Sequence, residues 1–293
     1  MDAGGPSRGG AIPRLGFNPP DERVPGFEII DLATLHERRR RPDAVHRVDF
    51  HTLTLITGGS GEHAVDFVTY PCRPGTLLWI RPGQVQRFTA PGTTAGTHLL
   101  FTPSFPPPFS GAERLVNQWY GPVCRQLGTG PHYTALATLL AQLRTEYDST
   151  AHPVSTEILQ LLLATALLHL DRLPHPDHGT DPAAGGETYA RFRAELEHSY
   201  ATTRRAADYA QRLGYTVKTL TRACAAATGQ PVKHVIDARV TLEARRLLAH
   251  TDEPVSTIAR RLGFPEPTNF GKFFTRRTGV TPGAFRETHR GGA

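Results

Sequence analysis

Residues 204–229, RRAADYAQRLGYTVKTLTRACAAATG, and residues 258–286, IARRLGFPEPTNFGKFFTRRTGVTPGAFR, carry one layout twice. The first copy runs Ala210-x-x-x-Gly214-Tyr215, then Leu220-x-x-x-Cys224, and closes at Thr228-Gly229. The second runs Ala259-x-x-x-Gly263-Phe264, then Phe270-x-x-x-Phe274, and closes at Thr278-Gly279. The repeat has a period of about fifty residues, with one extra residue in the second turn. A small residue lets two helices approach, glycine supplies a tight turn, and an apolar pair four apart buries the second helix. Each copy is therefore predicted to be a helix-turn-helix, with a helix over about 232–248 between them. A plain helical bundle is the alternative, since alanine, glycine and leucine at these spacings are common.

The two copies, their bridging helix and the closing LGF and TGVTP segments resemble the DNA-binding domain of AraC/XylS-type transcriptional regulators. The resemblance covers the chain from about residue 188 onward, and its second copy is the more specific part. It implies an α+β multidomain protein: an N-terminal cupin-like β-barrel with two following helices, then an all-α double helix-turn-helix domain. The implied partners are double-stranded DNA, a second copy of the chain, a small-molecule effector and, for an activator, RNA polymerase. Neither a cofactor nor an enzymatic activity is implied.

Charge is unevenly placed along the 293 residues. From Glu187 onward there are 18 Lys and Arg against 10 Asp and Glu, a net of +8, whereas residues 1–186 hold 15 and 17, a net of −2. A basic domain beside a near-neutral one suggests that only the former meets a polyanion. The three cysteines, Cys72, Cys124 and Cys224, have no metal-ligand spacing and read as reduced thiols of a cytoplasmic protein. No apolar run of membrane-spanning length occurs, so neither secretion nor a membrane partner is expected.

Residues 1–22, rich in Gly and Pro, are expected to form a mobile arm. The run Arg38–Arg41 reads as a solvated turn, with nucleic-acid contact as the alternative. Over 23–172 the sensor and dimerisation domain is expected. His51–Leu55 and His63–Phe67 alternate as strands do, separated by Gly58-Gly59-Ser60-Gly61 as a hairpin turn would separate them. Pro74-Gly75 and Pro82-Gly83 bracket the apolar stretch Thr76–Ile80, which looks like a cupin-type barrel strand between two corners. Metal-binding cupins use His-x-His and a later His; here His46 and His51 are five apart, and Gln86 occupies the later position. No metal site is therefore expected. An internal small-molecule pocket is, with His51, Trp79 and Gln86 as candidates, although alternation alone leaves the inward face open. Residues 104–131 read as a crossing segment. Two amphipathic helices follow, with Leu136, Leu139, Leu140, Leu143 and Tyr147 on one stripe and Leu159, Leu162, Leu163, Ala166, Leu167 and Leu170 on the other. Ile158, Leu161 and Leu168 give the second helix a further apolar face, which the resemblance assigns to a dimer seam. Residues 173–187 read as a linker.

Within the C-terminal domain (188–293), Thr216 can cap the first recognition helix. With Leu220 and Cys224 turned inward, Lys218, Thr221 and Arg222 share the opposite face, the one that would enter the major groove. Aligning Phe270 with Leu220 places Thr268, Gly271 and Lys272 at the equivalent positions of the second helix. Arg276 and Arg277 are expected to contact phosphates. The rival classes are a cupin enzyme with a DNA-binding tail, and a DNA-binding protein whose barrel only dimerises.

Overall fold

The computed structural model describes residues 12–19, 23–38, 44–88, 94–108, 110–116, 121–149, 154–173 and 186–290. These fall into two compact units, one with described residues 13–173 and the other with residue 12 and residues 186–290.

The first unit begins with β1 (Arg14–Leu15), β2 (Phe27–Asp31), α1 (Leu32–Arg38), β3 (His46–Val48), β4 (His51–Gly58) and β5 (Gly61–Val65). It continues with β6 (Val68–Cys72), β7 (Thr76–Ile80), β8 (Val85–Phe88), β9 (Ala95–Phe101), α2 (Ala112–Val116) and β10 (Cys124–Gln126), and ends in α3 (Pro131–Asp148) and α4 (Ser155–Asp171). The strands form two five-stranded sheets, ordered β1-β3-β8-β5-β6 and β10-β7-β4-β9-β2. In the second sheet, β4 is central, pairing with β7 and β9, and residues 51–56 are buried throughout. Cross-strand partners share a face. His51, Leu53 and Leu55 therefore lie with Leu77, Trp79, Leu99 and Phe101 in a core completed by Leu136, Leu140 and Leu143 of α3 and Leu159, Leu163 and Leu167 of α4. Thr52, Thr54 and Ile56 lie on the other face, with Leu78, Ile80, His98 and Leu100.

Several expectations are corrected here. Gly58–Gly61 is not a hairpin, because β4 and β5 belong to different sheets; it carries the chain from one to the other. The hairpin is one step later, where Asp66 and Phe67 leave the predicted strand to turn between β5 and β6. Asp66 adopts φ 54° there, and its carboxylate accepts the Val85 N–H at 3.2 Å. The crossing segment holds α2 and β10, the latter paired with β7. The arm is partly tied down: Arg14 and Leu15 pair in parallel with Arg47 and Val48, and Phe17 packs edge-on against Phe50 at 5.5 Å. Residues 1–11 and 20–22 lie outside the described residues, as do 39–41 of the arginine run and 174–185 of the linker.

The second unit is all helical: α5 (Gly186–Ser199), α6 (Ala206–Leu213), α7 (Val217–Thr228), α8 (Val232–His250), α9 (Val255–Arg261), α10 (Pro267–Thr278) and α11 (Pro282–Arg290). The helix opening the unit thus starts at Gly186, inside the stretch expected to be linker. Gly214 and Gly263 adopt φ 69° and 72° at the two turns, a conformation that costs glycine little. At Gly263 a Cβ would also stand 2.5 Å from the Ala201 carbonyl oxygen, so this turn is closed to larger residues. Phe270 packs on Phe264 and Phe274, and Phe274 on Phe285, at ring separations of 5.3, 5.8 and 5.5 Å.

Candidate functional site

Helix α7 is opened by Thr216, whose Oγ1 accepts the Thr219 N–H at 3.0 Å. Such a cap is worth about 1 kcal/mol. Leu220, Ala223, Cys224 and Ala227 are buried, and burial pushes the Cys224 thiol up to about 12. Lys218, Arg222 and Ala225 are exposed on the opposite side, with Thr221 half-buried beside them. Helix α10 repeats the arrangement. Pro267 occupies its first turn, Phe270, Phe273 and Phe274 are buried, and Thr268, Lys272 and Arg276 are exposed. A Cβ added at Gly271 would meet nothing within 4 Å, so the unit's own packing does not require glycine there.

Several cations on the other faces are held by the protein. Arg239 is clamped by Glu197 at 2.8 Å and Glu243 at 3.3 Å, and lies 3.8 Å over the Tyr200 ring. Arg246 pairs with Glu243, Arg212 with Glu195 and Arg261 with Glu253. Arg204 donates to the Leu262 carbonyl at 2.8 Å and stacks on Phe264. Asp237 of α8 takes both Lys233 and Arg277. The expectation that Arg277 faces phosphate is thereby corrected: it follows Phe270, Phe273 and Phe274 on the inward stripe of α10 and is spent on a buried carboxylate. By contrast Lys218, Arg222, Lys272 and Arg276 form no ion pair among the described residues, and neither does exposed Arg260 of α9, which the sequence reading missed. Its signal was the Arg260-Arg261 pair, but sequence does not say that Glu253 takes only one of the two.

The first unit holds a cavity of about 240 Å³ between its sheets. Its wall includes Phe17, Glu28, Val48, Phe50, Thr52 and Leu100. None of the three residues expected in the pocket, His51, Trp79 and Gln86, lines this cavity. His51 and Trp79 lie on the helix-facing side of their sheet, where the Trp79 Nε1–H donates to His51 Nδ1 at 3.2 Å and His51 stacks on Phe101 at 4.9 Å. Burial, reinforced by the Arg81 charge, lowers the His51 pKa to about 3, so this imidazole is a neutral core acceptor. Gln86 does lie between the sheets, but its Oε1 is engaged by His63 Nε2 at 2.9 Å. Among the described residues no group of three His, Cys, Asp or Glu is placed to hold a metal ion, and no helix is long and apolar enough to cross a membrane.

A model of an AraC-like ligand binding domain matches residues 30–167, and a helix-turn-helix domain model matches residues 209–288. One falls in each unit, and the chain belongs to the AraC/XylS family of DNA-binding transcription regulators. Similar relatives include the HTH-type transcriptional activator RhaR of Klebsiella pneumoniae, 25% identical over 266 residues, covering 85% of this chain and 89% of its own length. Another is the transcriptional activator RhaS of an Enterobacter species, 24% identical over 252 residues, with 83% and 87% covered. Among solved structures, ToxT of Vibrio cholerae O395 matches 91% of this chain and 99% of its own at 12% identity and a TM-score of 0.39.

Proposed function

We propose that the chain is a non-enzymatic, effector-responsive regulator that reads duplex DNA with α7 and α10. The carrying observation is the distribution of pairing. The second unit's inward Arg239, Arg246 and Arg277 are held by its own carboxylates, while Lys218, Arg222, Lys272 and Arg276 stand exposed without an ion-pair partner among the described residues on the outer faces of two equivalent helices. Arg222 is the base reader, because a guanidinium can bridge guanine O6 and N7, and Lys218 and Thr221 flank it. In the second helix Thr268 and Lys272 hold the corresponding positions. Thr216, beside the N-terminus of α7, and the exposed Arg260 and Arg276 contact phosphates. The relatives' activator role suggests RNA polymerase as a partner, and this work on DNA suggests a cytoplasmic location. Pairing of two copies is supported by α4, which leaves Ile158, Leu161 and Leu168 exposed. An effector in the 240 Å³ cavity is the natural input.

Selection of binding sequences from a random duplex library tests the reading of α7. Arg222→Ala is expected to cost about 1–3 kcal/mol and to relax preference at one or two base pairs. An unchanged preference would show that α7 does not read bases through this residue.

A further inference from the structure

Resting on the reading of the cavity as an effector site, the wall chemistry specifies what kind of molecule enters. Most of the wall is apolar: Leu15, Phe17, Leu35, Val48, Phe50 and Leu100. Its polar side chains are Asn18, Glu28, Thr52 and His98, the last bonded through Nδ1 to Thr54 Oγ1 at 2.7 Å. Glu28 of β2 and Thr52 of β4 are the two cross-strand neighbours of Leu100, on either side of it in one row across the sheet. At about 4.8 Å between strands, their Cα atoms are roughly 10 Å apart. Thr52 is 2% exposed, and its Oγ1 has no hydrogen-bond partner. A buried hydroxyl without a partner is costly, and one on a cavity wall marks where a ligand atom or a water completes it. Glu28 is also buried, its side chain 5% exposed, and is ion-paired to Arg38. Arg38 is 40% exposed, on the last turn of α1, and is not among the cavity-lining residues. The charge that meets the cavity is thus the carboxylate, with the guanidinium outside it.

We infer that the effector is a small, non-anionic molecule: an apolar body of about one ring, carrying a hydroxyl or ammonium head that donates to Glu28 or Thr52. A cavity of 150 Å³ holds benzene, so 240 Å³ leaves room for a ring and a short side chain. A carboxylate head of the same shape is disfavoured, because it would lie beside the buried Glu28 carboxylate.

The test uses full-length protein and three probes of one shape, phenethyl alcohol, phenethylamine and phenylacetate, each titrated calorimetrically. The alcohol and the amine are expected to bind at least tenfold more tightly than phenylacetate. Glu28→Gln should reduce the amine's advantage over phenylacetate, Thr52→Val should weaken the alcohol several-fold, and Leu100→Trp, which fills the cavity, should abolish binding of all three. If phenylacetate binds as tightly as the others and Leu100→Trp removes it, the head-group inference fails while the cavity remains an effector site. If none of the probes binds, or if binding survives Leu100→Trp, the effector-site reading falls and the inference with it.

Discussion

Arg276 and Arg277 are neighbours of identical chemistry, and replacing each by alanine should produce two unrelated phenotypes. Asp237 is 3% exposed and takes Lys233 on one carboxylate oxygen and Arg277 on the other. Arg277→Ala leaves that carboxylate with half its partners. Stripping a fully buried pair of one member costs about 3–5 kcal/mol, and a single charge-assisted hydrogen bond is worth about 1.5–3 kcal/mol. Lys233 remains and Arg277 is itself 24% exposed, which places the loss near the lower range, about 2 kcal/mol. For a helical unit of this size that corresponds to a fall in Tm of roughly 10 °C. Arg276→Ala touches nothing inside the protein and should stay within about 0.5 kcal/mol of wild type. Its effect belongs to DNA binding, where losing one phosphate contact lowers the slope of log K against log salt by about 0.9. Far-UV ellipticity melts of the full chain read the stability. Tryptophan fluorescence supplies a control, since both tryptophans, Trp79 and Trp119, precede the helical unit in the sequence and their transition should not move. A variant Arg277→Ala that melts with wild type yet loses about one unit of salt slope would refute the assignment.

Two further outcomes follow from single side chains. His51 is neutral when folded, with a pKa near 3, but takes up a proton below about 6.5 once unfolded, so its contribution is present above pH 6.5 and is lost as pH falls from there toward 3. At pH 5.5 the loss is about 1.4 kcal/mol; fluorescence melts at pH 5.5 and 7.5 should differ less in His51→Gln, and an equal difference would place the titration elsewhere. Gly271→Ala should stabilise α10 by about 1 kcal/mol, since the added Cβ meets nothing within 4 Å. DNA affinity should nonetheless fall as the methyl enters the groove-facing surface, and an affinity equal to wild type in a binding titration would show that this face does not press on DNA.

The second unit was legible in the sequence because its determinants are local. The Gly214 and Gly263 turns, the Thr216 cap and the Leu220–Cys224 and Phe270–Phe274 pairs each act within one or two helical turns, and they phase the outer faces of α7 and α10 correctly. Arg277 was misjudged because its partner, Asp237, lies forty residues away on another helix. In the first unit β4 is buried on both faces, so alternation carries no information on which face looks into the cavity. That is why His51 and Trp79 read as pocket residues. A glycine-rich connection likewise gives no sign of whether the strands it joins share a sheet, as the Gly58–Gly61 crossing illustrates. Elements of two or three residues, such as β1 and β10, exist only through the strands they pair with.

Helix α8 runs unbroken for 19 residues, about 28 Å, and is fastened along its length. Glu197 holds Arg239 near its middle, Asp237 holds Arg277 of α10, and Arg286 of α11 donates to the Leu248 carbonyl at its end. Such a strut cannot stretch or swivel to suit its target. On the proposal that α7 and α10 both contact bases, a reader built on this strut measures as well as recognises: the two base clusters must keep one fixed separation along the duplex. Inserting a single base pair between them would move the second cluster about 3.4 Å along the axis and about 35° around it. Operator sites for this protein should therefore tolerate changed letters far more readily than changed spacing.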